Sequence, residues 1–466
     1  MNKSLIPVLC GAGLVLGGCS LAPEYQRPEA PVPSQWPVGA AYGKKSLEAH
    51  VATDLNWRDF FSDERLQKII DQALENNRDL RLATLNVELA RGMYGIQRGE
   101  LYPSVGVQGG GGRQHRSADL IQPGEPRTVD QYHVDLGIAA WELDFFGRIR
   151  SMSEQALQEY FATDAVRRGA QVALVAEVAR VYLTLAADRE KLQLAHSTLE
   201  AQQTAYDLVK KRYDVGVTSE LDLKRAQVPL DTARGDVAGY IRLVAQDRNA
   251  LNLLAGAPIP EEWLAPGLSS VAPPKVVAPG LSSEALLGRP DIMAAEHRLI
   301  GAYASLGAAR ASLFPRISLT TAVGSASDEL SGLFDSGTGT WSFTPQFAMP
   351  IFDARVWAAL RVSETKREII LTQYEITIQS AFREVADALA VQGTIDEQVA
   401  AQHSLVTAVA DTYRLATLRY AKGIDSYLGV LDAQRSHFAA QQGLISLRLA
   451  KLASRVRLYA VLGGGA

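Results

Sequence analysis

The side chains best suited to chemistry are thinly spread along this chain. The seven histidines are His50, His115, His133, His196, His297, His403 and His437. None takes the His-Glu-x-x-His spacing that sets two imidazoles on one helix face for a metal ion. The glycine run Gly109–Gly112 reads as lying between a strand and a loop, and no Gly-Lys-Ser/Thr follows it, so it is no phosphate loop. Glu142 and Asp144 fall where a strand should pass into a helix. Carboxylates there suit the free backbone N–H groups of a helix start better than acid–base work. Two cysteines, Cys10 and Cys19, build neither a disulfide framework nor a cysteine-rich zinc site. No enzyme, metal site or bound cofactor is expected.

Composition points the same way. The 466 residues are 47% apolar and 21% charged, with a net charge of -4. That is ample for a core, argues against disorder, and gives no electrostatic reason to bind nucleic acid.

The first eighteen residues read as an address. Lys3 precedes a short apolar run, Leu5 to Leu16, interrupted by Pro7 and too brief to span a bilayer. It ends in Leu16-Gly17-Gly18-Cys19, which resembles the lipobox of bacterial lipoproteins. That resemblance implies cleavage before Cys19 and N-acyl and diacylglycerol lipid (palmitate) on it. With Ser20 rather than Asp next, it also implies sorting to the outer membrane. An ordinary secretory signal with an incidental Cys19 is the alternative. Ala22 to Pro37 carries five prolines and should run extended as a tether, or remain a disordered linker. No other segment approaches eighteen uninterrupted apolar residues, so no transmembrane helix is expected.

The remaining chain repeats itself. Leu101-Tyr102-Pro103 returns as Leu313-Phe314-Pro315. Arg212-Tyr213, Gly216, Ser219, Leu221, Ala226 and Gln227 return as Arg419-Tyr420, Gly423, Ser426, Leu428, Ala433 and Gln434. Two matches near one period mean a duplicated half. The first half is expected over 62–254, with a hairpin at 103–142 and long helices over 151–254. A Pro/Gly-rich linker takes 255–283, after an extended segment at 19–61. The second half covers 284–466, with a hairpin at 315–351 and long helices over 356–462.

Heptads dominate both halves. Leu192, Leu199, Tyr206 and Tyr213 recur every seven residues, and Ile378, Val385, Val399, Val406, Tyr413 and Tyr420 keep one phase. Leu223, Leu230, Val237, Val244 and Leu251 follow the first turn; Leu431, Phe438, Ile445, Leu452 and Tyr459 follow the second. Such spacing packs helices side by side as in coiled coils. A helix from Ser151 to Asp214 would be roughly 95 Å long at about 1.5 Å per residue. Gly216 and Gly423 mark the reversals, and Pro229 should bend the helix that holds it.

These helices alone suit an ordinary soluble coiled coil. The alternating segments argue otherwise. Tyr132, Val134, Leu136, Ile138 and Ala140 alternate with small or polar residues. So do Ile317, Leu319, Thr321 and Val323, and Trp341, Phe343, Phe347, Met349 and Ile351. Strands of about ten residues with one apolar face and aromatic ends (Tyr102, Trp141, Phe314, Trp341, Phe352) fit a membrane β-barrel. The stretches Arg113–Asp130 and Ser325–Thr340 suit outside loops. Four strands cannot close a barrel, and lipid tolerates no open edge. Two copies give eight strands around a filled interior, whereas three give twelve around a passage, so a homotrimer is expected.

The chain resembles the TolC-type outer-membrane factors of tripartite efflux pumps, in the OprM and NodT lipoprotein branch. Pro23-Glu24-Tyr25-Gln26-Arg27-Pro28, Trp141 to Arg148, Arg289-Pro290-Asp291-Ile292, Ala308-Ala309-Arg310, Phe314-Pro315 and Leu431 to Ser436 carry the resemblance. It implies a trimeric twelve-stranded β-barrel continued by a periplasmic α-helical barrel in the outer membrane of a Gram-negative bacterium. Its implied partners are a periplasmic adaptor and an inner-membrane transporter of the resistance-nodulation-division class. By position Leu428 and Asp432 match the family's constriction, where three apolar side chains and three carboxylates would ring the axis. Arg225, the repeat counterpart of Asp432, could pair with it. The turns, with Val215, Gly216, Val217 and Thr218 in one and Gly423, Ile424 and Asp425 in the other, are expected to meet the adaptor. A passive porin, a polypeptide secretion exit and a poreless periplasmic scaffold are the competing readings.

Overall fold

The computed structural model describes residues 20–42, 50–51, 56–278 and 283–464. Helices α1 to α3 are Trp57–Phe60, Glu64–Asn76 and Arg78–Gly99. Helices α4 and α5, Arg148–Asp214 and Glu220–Ala255, form the first long pair. Pro290–Ala311 is α6. The second long pair is α7, Ala354–Ala421, and α8, Tyr427–Val461. Strands β1 to β6 are His50–Val51, Val105–His115, Thr128–Leu143, Val277–Ala278, Arg316–Ser327 and Gly339–Ala348. The chain divides into two compact units. One holds residues up to Glu29, Asn86–Asp164 and Ala294–Tyr374; the other holds Ala30–Leu85, Ala165–Met293 and Glu375–Ala466.

The first unit contains an antiparallel four-stranded sheet in the order β2-β3-β5-β6. Residues opposite each other in register share a face. Val107, Leu136, Val323 and Trp341 form one cross-strand row, and Val105, Ile138, Thr321 and Phe343 the next. The opposite face carries the row Gln108, Asp135, Gly324 and Thr340. One face is therefore apolar and the other small or polar, as the alternation predicts.

Two features of the sheet depart from the expectation. The glycine run lies inside β2, not beyond it, because each of Gly109 to Gly112 pairs with a residue of β3. The alternation through Ala140 also breaks. The register slips between Ile138 and Trp141, where Ala140 has φ 49°, so that Trp141 and Leu143 oppose Leu319 and Ile317 on the apolar face. One extra residue at this bulge reverses the parity of the strand. Close approach also fixes Gly137: a Cβ there would sit 2.2 Å from the Thr321 carbonyl oxygen.

The proline-rich segment contains no helix or strand between Leu21 and Val38. It is nevertheless pinned. In the first unit the Tyr25 hydroxyl and the Arg27 guanidinium both donate to the Glu296 carboxylate, at 2.9 and 2.7 Å. In the second unit Trp36 is buried and stacks on Phe382 at 5.2 Å between centroids, while the Ser283 hydroxyl donates to the Pro33 carbonyl. A disordered linker is thereby ruled out for these residues. Strand β1 pairs in parallel with β4, joining the N-terminal segment to the inter-repeat linker.

The second unit holds a core of Phe60, Phe61 and Tyr459, with Phe60 stacked on Tyr459 at 4.2 Å. Arg289 is also buried and donates to Asp291, Glu384 and the Val461 carbonyl. The heptad of α5 holds, since Leu230, Val237 and Leu251 are buried. On α4 the phase differs. The buried line is Asp188, Ala195, Gln202 and Val209, whereas Leu192, Leu199 and Tyr206 are half-buried and Tyr213 is exposed. One long helix, α4, also contains an 18-residue stretch with a mean hydropathy of 1.4, though not an uninterrupted apolar run. Of that stretch 56% is buried within the protein, as in a core helix.

Candidate functional site: the tip of the long helices

Each long helix pair reverses through the same backbone device. Gly216 has φ 76° and Gly423 has φ 72°, the left-handed region that glycine enters without a Cβ penalty. Gly216 N–H donates to Tyr213 O and Val217 N–H to Arg212 O, at 2.9 and 2.8 Å. Gly423 N–H and Ile424 N–H repeat the pattern on Tyr420 O and Arg419 O, at 2.9 and 3.0 Å. These bonds satisfy two of the free carbonyls at the end of each of α4 and α7. The following helices start differently. Ser219 caps α5 in a reciprocal box with Asp222, reinforced by the Thr218 hydroxyl, whereas Ser426 makes no such side-chain bond to α8.

The turns are strongly exposed. Val215 is 72% exposed, Val217 74% and Ile424 58%, which leaves apolar side chains standing in solvent at the ends of the helices. Asp425 is locked to Arg419 by two hydrogen bonds, and these hold its carboxyl below the ordinary aspartate range. Arg212 at the end of α4 donates to the Tyr420 hydroxyl at the end of α7, so the two repeat tips meet. The repeat pattern flagged Arg212 and Tyr420 individually. Nothing in it pairs one with the other.

Leu428 and Asp432 lie one turn apart on α8 and are both exposed. Asp432 accepts from Arg435 on its own helix, and Arg225 lies 4.0 Å from Asp222 on α5. Within the chain, then, Asp432 and Arg225 take local partners, and the pairing of the two with each other does not form. Pro229 sits inside α5 without ending it. Cys19 lies outside the described residues. At the other site flagged in the sequence, Asp144 accepts from the backbone N–H groups of Ile149 and Arg150, at 3.2 and 2.8 Å, which is the helix-start role expected for it. Glu142 takes both Arg148 and Arg316.

With this geometry in hand, residues 69–257 and 281–464 match the family described as outer membrane efflux protein. The chain belongs to that family. It is 47% identical, over its whole length and 96% of the relative's, to the probable efflux pump outer membrane protein TtgC of Pseudomonas putida. A membrane protein of known structure from Pseudomonas aeruginosa superposes with a TM-score of 0.89 at 39% identity, over 96% of this chain and 98% of that one. The open-state outer membrane channel MtrE of Neisseria gonorrhoeae superposes with a TM-score of 0.85 at 39% identity, over 96% and 98%. This protein is accordingly an outer-membrane exit channel of an efflux system, with the fold class of the trimeric TolC-type channels.

Proposed function

We propose that three copies of this chain pool their hairpins into one twelve-stranded wall, and that the duct so formed is gated at its helical tip. The open edges of the sheet carry this reading. Strands β2 and β6 end the order β2-β3-β5-β6, and each leaves a row of backbone N–H and C=O groups without a strand partner among the described residues. Trp341, Phe343 and Phe347 on β6 are 80%, 62% and 67% exposed on the apolar face. Such a face belongs against lipid, where unpaired edge groups cost several kcal/mol each, and joining β2 of one copy to β6 of the next removes that cost.

Lipid on Cys19 anchors the assembly in the outer membrane. A periplasmic adaptor docks on the exposed turns through Val215, Gly216, Val217 and Thr218 and through Gly423, Ile424 and Asp425. The adaptor links the duct to an inner-membrane transporter of the resistance-nodulation-division class, which supplies the energy. Small hydrophobic and amphiphilic compounds pass outward. Leu428 narrows the bore in threefold, and Asp432 sets a ring of carboxylates around it, partly neutralised by Arg435. The adaptor opens the tip only if it binds the open form more tightly than the closed one.

The test is single-channel conductance of the purified protein in planar bilayers, alongside drug accumulation in cells lacking the gene. Asp432→Ala should raise conductance, and deletion should raise accumulation of dyes and hydrophobic antibiotics. Lower accumulation on deletion would mark a porin. Unchanged conductance in Asp432→Ala would remove that residue from the gate.

A further inference from the structure

A cleft of about 330 Å³ opens in the second unit where α4, α5 and α8 meet behind the tip. Its walls are chiefly apolar: Val228 and Pro229 from α5, with Leu428, Leu431 and Phe438 from α8. The size lies at the small end of ligand-binding pockets, which start near about 300 Å³. Gln202 from α4 also lines it.

Gln202 is out of place by ordinary packing rules. It occupies the buried heptad line of α4, between Ala195 and Val209, and is only 6% exposed. Its side-chain Oε1 is buried and accepts no hydrogen bond among the described residues. An amide oxygen left so costs about 1–3 kcal/mol, and an apolar residue at that position would avoid the cost. Pro229 also breaks the ladder of α5 beside the cleft: it has no N–H to give the carbonyl of Arg225 four residues back.

We propose that this cleft binds a small, largely apolar molecule that carries a hydrogen-bond donor, such as a phenol. The apolar body lies against Val228, Leu431 and Phe438, and the donor meets Gln202 Oε1 once the side-chain amide turns toward the cleft. Binding does not depend on the gating role of Leu428. If that role holds, however, an occupant sharing the Leu428 wall acts directly on the gate.

The test uses the full-length protein purified in detergent, with 1-naphthol as probe and 1-methoxynaphthalene as its donor-free counterpart, followed by naphthalene fluorescence. Saturable binding is expected, with 1-naphthol about tenfold tighter, equivalent to about 1.4 kcal/mol. Gln202→Leu should abolish that preference while keeping 1-methoxynaphthalene binding. Val228→Trp should block both, and since Val228 is 67% exposed the change spares the core. Absent or unsaturable binding, indifference to Val228→Trp, or an unchanged preference in Gln202→Leu would each overturn the proposal.

Discussion

Arg212 donates from Nη1 to the hydroxyl of Tyr420 at 2.8 Å, and its guanidinium carbon lies 5.8 Å from the centre of the same ring. The bond ties the end of α4 to the end of α7, the two helices that the duplication makes equivalent. A hydrogen bond from a charged donor contributes about 1.5–3 kcal/mol when sheltered and less at an exposed tip such as this. Tyr420→Phe deletes the acceptor and keeps the ring. It should loosen the tip by about 1 kcal/mol and raise the open fraction severalfold in bilayer recordings. Arg212→Ala should do at least as much. A wild-type open fraction in both variants would show that the bond does not hold the tip closed.

Asp247 on α5 offers a pH dependence with a definite sign. Burial pushes its carboxyl up, and the charge of Asp188 and a hydrogen bond between the two add to the effect, against Arg180 and Lys191, to about 6. Two close carboxylates resist ionising together. A carboxyl raised in the folded state favours folding most below its unfolded value near 3.9 and loses that contribution as pH rises through about 6. Because the site is part-exposed, the loss should be on the order of 1 kcal/mol. Denaturant unfolding at pH 4.5 and pH 7 should show it, and Asp247→Asn should flatten the difference. A difference of equal size in Asp247→Asn would assign it to other groups.

Gly137 marks where the two hairpins touch. A side chain there would meet the Thr321 carbonyl and the backbone of Ala322, neither of which can rotate away. Gly137→Val should cost about 3 kcal/mol or more through overpacking and strand separation. On unboiled gels the heat-resistant oligomer band should fade severalfold. A band of wild-type intensity would mean that β3 and β5 tolerate a wider spacing.

The sequence discloses those features that a local period encodes. Ile317, Leu319, Thr321 and Val323 announce their face because a strand repeats every two residues, and Leu230, Val237 and Leu251 announce theirs through the heptad. The parity reversal at Ala139–Ala140 is silent, since two alanines fit either face and only the register with β5 reveals the bulge. The phase on α4 is misleading for a related reason. Leu192 and Leu199 look like the better core residues, yet within the single chain Ala195 and Val209 are the buried ones. The tip turns are legible from Gly216 and Gly423, because glycine alone suits their backbone. The pairings Arg212–Tyr420 and Asp432–Arg435 are not, because long polar side chains choose among several partners within reach.

The open edges of β2 and β6 are the feature on which the functional account turns, and the native mass of the detergent-purified protein examines them most directly. One species of three chains that persists on dilution is expected. A single chain with all four strands formed would show that the sheet seals itself, and would contradict the shared wall, the threefold gate and the duct together.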